Sequence, residues 1–521
     1  MLREVERPVT LPPHPAPILQ LPAEKESPAD HRMRFVVREV RLDGGEALDT
    51  ASIAAELSAL AGTEVSLADL RREASRLTQI LREAGYALAR VVVPAQEIRD
   101  GTVRFLVLEG RLGRISTDNR SALEDAHLAA LLHAQVPADA PLQTAQLDRA
   151  LQLLSDLSGA GMVTGTLAPG DRVGTSDLAV AVLPGKALAG EISIDDHGNH
   201  YTGRNRLNAW LDANSPAGWG ERLRVSLTAT DESLYYGRIA YDLPMGADGL
   251  RLGAAVSRSV YELGRGFAEL KAHGTADTAS IYGSYPLLRS RSSNLVLGGS
   301  VEQRQLADRV DATDSATDKS ATVLTISLEG DWQDGFAGGA VSHVRLAASS
   351  GHLEIDTPAA RILDDAGPQS AGGYAKWQAS LSRLQAIGAT TRLYAGLQGQ
   401  WAGKNLDSSE KFTLGGAYGV RAYPQGEGVG DEGALVTLEL RQDLGSGLEA
   451  KGFYDWGSVR INKNDFSTAA NSLTLAGYGL GLGWRRGGFF LSAAIAWRDR
   501  QAAVSAPDKS VRTWLQLGWT F

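Results

Sequence analysis

Side chains that could carry catalysis or hold a metal are few in this chain, and their surroundings suit neither role. Asp195, His197 and His200 are metal-ligand types, but their spacing on a strand and turn directs the side chains to opposite faces. We therefore interpret them as a surface turn. Ser408 and Lys411 match a Ser-x-x-Lys pattern, although the partner motifs of the enzymes that use it are missing. The absence of cysteine excludes thiolate metal sites and cysteine nucleophiles.

Phosphate and nucleic-acid chemistry also lack support. The glycine-rich stretches at 415–430 and 477–483 do not have the strand-to-helix context in which backbone amides cradle a phosphate. The chain has 52 basic and 61 acidic residues, so its net charge of −9 leaves no basic footprint for nucleic acid. We therefore expect a protein that is not an enzyme, requires no metal or cofactor, and does not bind nucleic acid.

The first third of the chain predicts a small α/β module that occurs twice. Residues 33–112 show the order strand, helix, helix, strand, strand, and residues 113–186 repeat it with a period of about 74 residues. In the first module, Ser66 followed by Asp69 predicts the N-terminal cap of the second helix. Residues 1–32 hold seven of the 19 prolines, which predicts an extended linker and argues against a long helix there.

The remaining two thirds of the chain show strand periodicity. From about Gly190 onward, apolar and polar residues alternate with a period of two up to Phe521. We predict 16 strands in residues 187–521. No run of ~18 apolar residues exists, so we do not expect a helical membrane span.

The predicted connections alternate in length. Short turns alternate with long connections at 306–320, 351–370, 403–433 and 500–510. This alternation is typical of an outer-membrane β-barrel, whose turns are short on one side and long on the other. A soluble β-sandwich is the alternative, but it gives no reason for such regular segregation of loop lengths.

Two strands indicate what faces the inside of the predicted barrel. In the strand around 436–441, a polar face lies opposite the apolar residues Val436, Leu438 and Leu440. In the strand around 477–483, an all-glycine face lies opposite Tyr478, Leu480 and Leu482. The predicted pore-lining residues are Thr437, Glu439, Arg441, Gly477, Gly479, Gly481 and Gly483. A wall without side chains leaves space for another segment to pack against it.

Several stretches, in this order, resemble a known family. They lie at 85–96, 100–110, 154–159, 167–170, 174–178, 195–203 and 285–291. Together they resemble the two-partner secretion transporters of the outer membrane (TpsB type), which share the Omp85 superfamily with the barrel-assembly factors. The resemblance covers about residues 33–521. It implies two periplasmic POTRA modules, at 33–112 and 113–186, and a 16-stranded antiparallel transmembrane β-barrel at 187–521.

The most specific similarity is Gly-Gly-Ala-Tyr-Gly-Val-Arg-Ala-Tyr at 415–423. It resembles the tip of the superfamily's long sixth loop, Val-Arg-Gly-Tyr/Phe, so the resemblance implies that the loop at 403–433 folds into the lumen. Ala422 stands where the family has glycine, and its methyl group forbids backbone angles that only glycine favours.

A second stretch completes the loop motif. Phe-Tyr-Asp-Trp-Gly at 453–457 is similar to the family's Phe-x-Asp-x-Gly on the inner wall. The resemblance implies that Arg421 pairs with Asp455, and that Val420 and Tyr423 complete the loop anchor. An arginine fork suits this role because it matches a carboxylate in two places.

The resemblance also implies a function. The family secretes one large partner protein, mostly a β-helical adhesin or haemolysin, without ATP. The modules would capture it by adding an extended strand to a sheet edge. We further expect a monomer in contact with outer-membrane lipid, with Trp519 and Phe521 as the C-terminal barrel signal. The alternatives are a barrel-assembly insertase, a diffusion porin or channel, and a soluble β-rich adhesin.

Overall fold

The first module contains two small sheets and two helices. The computed structural model describes residues 18–20, 33–48, 50–137 and 140–521. The elements of this module are β2 (Arg34–Val36), β3 (Glu39–Gly44), α1 (Ala51–Ser58), β4 (Glu64–Ser66), α2 (Leu67–Glu83), β5 (Arg90–Val92) and β6 (Thr102–Leu108). Strand β2 pairs with β4, whereas β3, β6 and β5 form a separate sheet. The single first strand of the predicted order is therefore two strands, β2 and β3, which join different sheets.

The predicted cap begins helix α2. The hydroxyl of Ser66 accepts a hydrogen bond from the amide of Asp69 at 3.2 Å, and the Asp69 carboxylate accepts one from the amide of Ser66 at 3.0 Å. That backbone hydrogen bond lowers the pKa of Asp69 below its ordinary value of 3.8. The stabilisation is therefore complete above pH 3.8 and is lost as the pH falls through the folded-state pKa.

The second module has the same order of elements and gains one strand from the N-terminal segment. Its elements are β7 (Arg111–Asn119), α3 (Asp125–Gln135), α4 (Thr144–Ser155), β8 (Ala160–Pro169) and β9 (Thr175–Pro184). Strand β1 (Ile18–Gln20) runs parallel to β8, so the sheet order is β1-β8-β9-β7. Three residues of the proline-rich segment are thus part of this sheet. The rest of the predicted linker lies outside the described residues.

A closed antiparallel barrel follows the modules. Its strands are β10 (Leu188–Asp195), β11 (Arg206–Asn214), β12 (Arg222–Thr230), β13 (Tyr235–Met245), β14 (Leu250–Glu262), β15 (Ala272–Arg289), β16 (Ser293–Val310), β17 (Ser315–Asp334), β18 (Ala340–Ile355), β19 (Gly372–Ala386), β20 (Thr391–Ala402), β23 (Glu432–Gly445), β24 (Leu448–Arg460), β25 (Ser472–Arg486), β26 (Phe489–Arg498) and β27 (Val511–Thr520). Each pairs with its sequence neighbours, and β10 pairs with β27. The prediction of 16 strands is confirmed.

Three further elements lie in the barrel's connections. They are α5 (Pro358–Ala366), β21 (Phe412–Thr413) and β22 (Val429–Gly430). None of the helices in the described residues combines the length and the apolar composition of a membrane-spanning helix.

The barrel exposes apolar side chains and buries polar ones. Ile281, Ile326 and Leu480 on the outer face are 70%, 56% and 60% exposed, whereas inward-facing Asp195 and Arg206 are buried and paired at 2.7 Å. This inverted distribution suits a cylinder that meets lipid outside and encloses polar groups.

Two long loops of the sequence prediction are partly strand. The expected loop at 306–320 is wrong, because β16 and β17 continue to pair up to Val310 and Ser315 and leave only residues 311–314 as a turn. Strand β18 likewise runs to Ile355 before α5 begins. A strand can continue to pair in water beyond the part of it that carries outward apolar side chains. The end of the apolar pattern in the sequence therefore does not mark where the strand ends.

The second module is fixed to short turns of the barrel. The Arg289 guanidinium donates to both carboxylate oxygens of Asp156 in the module, each at 2.7 Å. Arg291 contacts Asp148 of α4 at 2.6 Å, and Gln135 of α3 donates to the Ala247 carbonyl at 2.9 Å. The module is therefore held at the barrel mouth by several side chains.

We expect Arg289→Ala to loosen this attachment. The pair is partly shielded from solvent, so its loss costs about 1 kcal/mol and speeds amide exchange at the end of α4 about fivefold. Hydrogen exchange of the full-length protein measures this effect. The matched control is Arg309→Ala, which removes an ion pair with Asp318 (2.7 Å) at the opposite end of the barrel and leaves α4 unchanged. Equal protection in both variants would contradict the docking role.

The lumen loop as a candidate functional site

The segment between β20 and β23 runs inside the barrel. Strands β21 and β22 pair at its base, where Phe412 lies opposite Gly430. The chain between them forms the tip, whose residues contact inward-facing residues of β24 and β25. The structure thus puts the predicted loop at 403–433 where the resemblance implies it.

Two apolar side chains seat the loop tip. Val420 and Tyr423 are fully buried and pack with Phe453 and Leu475 of the barrel wall. The Tyr423 hydroxyl also donates to the carbonyl of Gln501 at 3.0 Å. Because they lie on either side of Arg421 in the sequence, these residues fix its position.

Arg421 binds Asp455 through three hydrogen bonds. Its Nε and Nη2 donate to the two carboxylate oxygens at 2.8 Å each, and its backbone amide donates at 3.1 Å. The Asp455 side chain is fully buried, and that of Arg421 is 8% exposed. The guanidinium carbon also lies 3.5 Å from the ring centroid of Phe453. The structure thus brings together the pair that the resemblance implies.

Glu439 is a second carboxylate at Arg421, a contact that the sequence did not indicate. Its Oε1 accepts from Arg421 Nη1 at 2.6 Å. The predicted pore-lining Arg441 donates to its other oxygen at 2.8 Å, and Lys451 approaches within 3.7 Å. Thr437 lies opposite Asp455 in the strand register. The alternation indicated that Glu439 faces inwards but gave no signal that the loop reaches it.

The glycine stripe of β25 makes room for the loop and its wall. A Cβ at Gly477 would lie 2.4 Å from the Cβ of Ala422. A Cβ at Gly479 would lie 2.3 Å from the ring of Phe453, and one at Gly481 would lie 2.8 Å from Lys451 Cε. Gly483 has open space around it. The first glycine therefore accommodates the loop itself.

The methyl group of Ala422 is accommodated without backbone strain. Its φ lies outside the left-handed region that favours glycine, and the side chain is 2% exposed. The departure from the family's glycine is therefore compatible with the observed tip.

Further contacts, which the sequence did not reveal, hold the tip. The indole of Trp514 donates to the Arg421 carbonyl at 2.7 Å. His197 is 6% exposed and lies 3.3 Å from the Tyr418 hydroxyl. The surface-turn interpretation is therefore wrong for His197, because the loop covers the turn from inside the barrel. It is also wrong for Asp195, which lies in β10 and is buried against Arg206.

The chain's final residues close the barrel seam. Phe521 exchanges two backbone hydrogen bonds with Gly190, at 3.0 and 3.2 Å. Trp519 pairs with Ile192 of β10 and stacks on Phe489 with 6.1 Å between ring centroids. Both predicted residues therefore lie where the first and last strands meet.

Two family models match the chain. Residues 174–484 match the model of the haemolysin secretion/activation proteins ShlB/FhaC/HecB, and residues 35–110 match the ShlB-type POTRA domain.

Similar proteins include two transporters. The chain is 28% identical over 506 residues to the heme/hemopexin transporter protein HuxB of Haemophilus influenzae. The aligned region covers 94% of this chain and 88% of that protein. It is 24% identical over 454 residues to the outer membrane transporter CdiB of Dickeya dadantii, with coverages of 83% and 75%. The solved structure of CdiB from Escherichia coli has the same fold, with a TM-score of 0.75, 21% identity, and coverages of 96% and 93%.

We expect Arg421→Ala and Asp455→Asn to release the loop tip. Removing one partner of a buried pair costs about 3–5 kcal/mol, so both variants raise the conductance of the purified protein in planar bilayers. The control is Arg392→Ala, which removes an exposed, inward-facing arginine of β20 and leaves conductance near the wild-type value. Wild-type conductance in both test variants would contradict the anchoring role.

We expect Gly477→Leu to displace the tip by steric contact alone. The new side chain occupies the position of the Ala422 methyl group, so conductance rises although both charges of the anchor remain. Gly483→Leu is the matched control, because it adds the same side chain to the same strand face in open space. Equal conductance of the two glycine variants would show that Gly477 does not seat the loop.

Proposed function

Because the chain belongs to the family of haemolysin secretion/activation proteins ShlB/FhaC/HecB, we propose that it captures one large, unfolded partner exoprotein in the periplasm and passes it through its barrel without ATP. The chain is an outer-membrane transporter of two-partner secretion, with its POTRA modules in the periplasm. The observation that carries the mechanism is the lumen loop, whose Arg421 is bonded to the inner wall.

The loop supports a gated pathway. A 16-stranded barrel has a lumen wide enough for water and more, and here the loop tip lies against the inner wall. The tip is held by hydrogen bonds and side-chain packing rather than by a covalent link. A partner chain can therefore replace these contacts one at a time.

Energy must come from a source other than nucleotide hydrolysis. The sequence contains no nucleotide motif, and the periplasm supplies no ATP. We infer that the partner enters unfolded and folds outside, so that it cannot slide back. A long β-helix suits this mechanism because each new coil stacks on coils that have already folded.

The second module supports the capture step. Its β8 edge pairs with three residues of β1 in parallel, so the edge accepts an extended segment. Backbone hydrogen bonds give such an edge affinity without strict demands on sequence. The module's attachment at Arg289 keeps that edge near the barrel mouth.

Three further assignments belong to this proposal. We infer that the protein works as a monomer, because one barrel with two modules supplies both the capture site and the pathway. Trp519 and Phe521 serve as the C-terminal barrel signal, which agrees with their place at the seam. Membrane lipid contacts the outward apolar face.

A barrel-assembly insertase is the second candidate, and one observation favours it. The seam between β10 and β27 contains five residue pairs, whereas the next shortest pairings in the barrel contain eight. A short seam opens more readily than the other strand pairings and would give a client strand access to the barrel edge.

Deletion of the gene in its bacterium is expected to remove one large protein from the culture medium. Restoring the full chain returns that protein, whereas a chain lacking residues 33–186 inserts into the membrane but does not return it. Comparative proteomics of the medium and the outer membrane makes the measurement. Loss of many outer-membrane proteins would favour the insertase, and altered uptake of small solutes alone would favour a porin.

A further inference from the structure

The lumen loop is attached at two opposite walls of the barrel. Its tip contacts the last strands, since Trp514 of β27 donates to the Arg421 carbonyl. Its beginning, residues 406–411 (here called the loop root), contacts a different wall, where Asp407 binds Lys319 of β17 at 2.6 Å. Strands β17 and β27 are the eighth and the sixteenth of 16. The loop therefore crosses the lumen.

Glu410 is the centre of the root attachment. Its carboxylate forms ion pairs with Lys376 of β19 and Arg304 of β16. Glu410 is 3% exposed and Lys376 is 4% exposed. Gln400 of β20 donates to the Glu410 backbone carbonyl at 3.0 Å. A buried carboxylate with two cationic partners is a strong attachment, because separating the carboxylate from the cations would leave buried charges unpaired at a large desolvation cost.

Hydrogen bonds and an ion pair also connect the root to the end of the loop. The Asp431 carboxylate is fully buried and accepts from the amides of Leu406 at 3.1 Å and Lys463 at 2.8 Å. Lys411 Nζ lies 3.0 Å from the same carboxylate. These contacts join the two ends of the loop, so the root is rigid on both sides of the base pairing between β21 and β22.

We propose that Glu410 is a second positioning residue of the gate. The root remains fixed to the wall of β16, β17 and β19 and acts as a pivot, while the tip leaves Asp455 and swings aside within the lumen. The inference rests on the proposed function, because it assigns different roles to the root and the tip of the same loop. It requires that the two attachments act together.

Conductance measurements distinguish the attachment of the root at Glu410 from that of the tip at Arg421. Glu410→Gln keeps the shape but removes the charge, and it is expected to raise the open probability about tenfold. Combined with Arg421→Ala, it raises open probability beyond the product of the single effects. Glu329→Gln, which removes a lumen carboxylate paired with Arg345 at 3.4 Å, leaves conductance unchanged.

Distance measurements test the pivot directly. Because the chain has no cysteine, spin labels attach only to introduced cysteines. Asp311→Cys on an exposed turn is paired with Ser408→Cys at the root or Ala417→Cys at the tip. In the Arg421→Ala protein the distribution to the tip broadens and the distribution to the root stays narrow. Adding Glu410→Gln then broadens the distribution to the root.

The outcomes distinguish this inference from the proposed function. Wild-type conductance of Glu410→Gln, in a barrel whose gel mobility still shifts on heating, would overturn the second attachment and leave the tip anchor intact. A root that moves together with the tip in Arg421→Ala would overturn the pivot. Wild-type conductance of Arg421→Ala would overturn both the anchor and the pivot. Neither readout needs the partner protein, so loss of secretion is a separate result.

Discussion

The barrel and its lumen loop depend on one constraint, which is that hydrocarbon offers no hydrogen-bond partner to a peptide group. A sheet that crosses lipid must therefore pair its last strand with its first, as β27 pairs with β10. Closure creates a lumen, and 16 strands make that lumen too wide to be filled by wall side chains alone. The loop between β20 and β23 occupies this space, and Gly477 of β25 gives its tip room.

The contacts that hold the loop follow from its surroundings. Charged groups inside the barrel are partly removed from water, so each must have a partner. Asp455 and Glu439 on the wall balance Arg421 at the tip, while Glu410 on the loop meets Lys376 and Arg304 across the lumen. Such contacts are strong only as complete sets, so the proposed gate is firm when every partner is in place and opens when one partner is displaced.

The periplasmic modules extend the same arrangement into water. Their cores are formed by ordinary apolar packing, and the second module is attached by Arg289 and Arg291 to turns of the barrel. Its sheet has an edge at β8 that already accepts an extended segment. The proposed capture surface and the proposed pathway therefore lie side by side, held by a few polar contacts, and this proximity suits stepwise delivery of an extended chain.

The sequence by itself determined the two periodicities, and with them the repeated α/β module, the 16 strands and the faces of Glu439 and Gly477. The resemblance of the 415–423 and 453–457 stretches added the pairing of Arg421 with Asp455. Only the tertiary structure decided that Glu439 joins that pair and that His197 lies beneath the loop. It also decided that β16 and β17 pair as far as Val310 and Ser315, and that Glu410 reaches the wall of β16 and β19. The physical reason is that alternation reports which face a side chain occupies. It does not report which distant strand lies across a closed lumen, because that depends on how all 16 strands and the loop pack together.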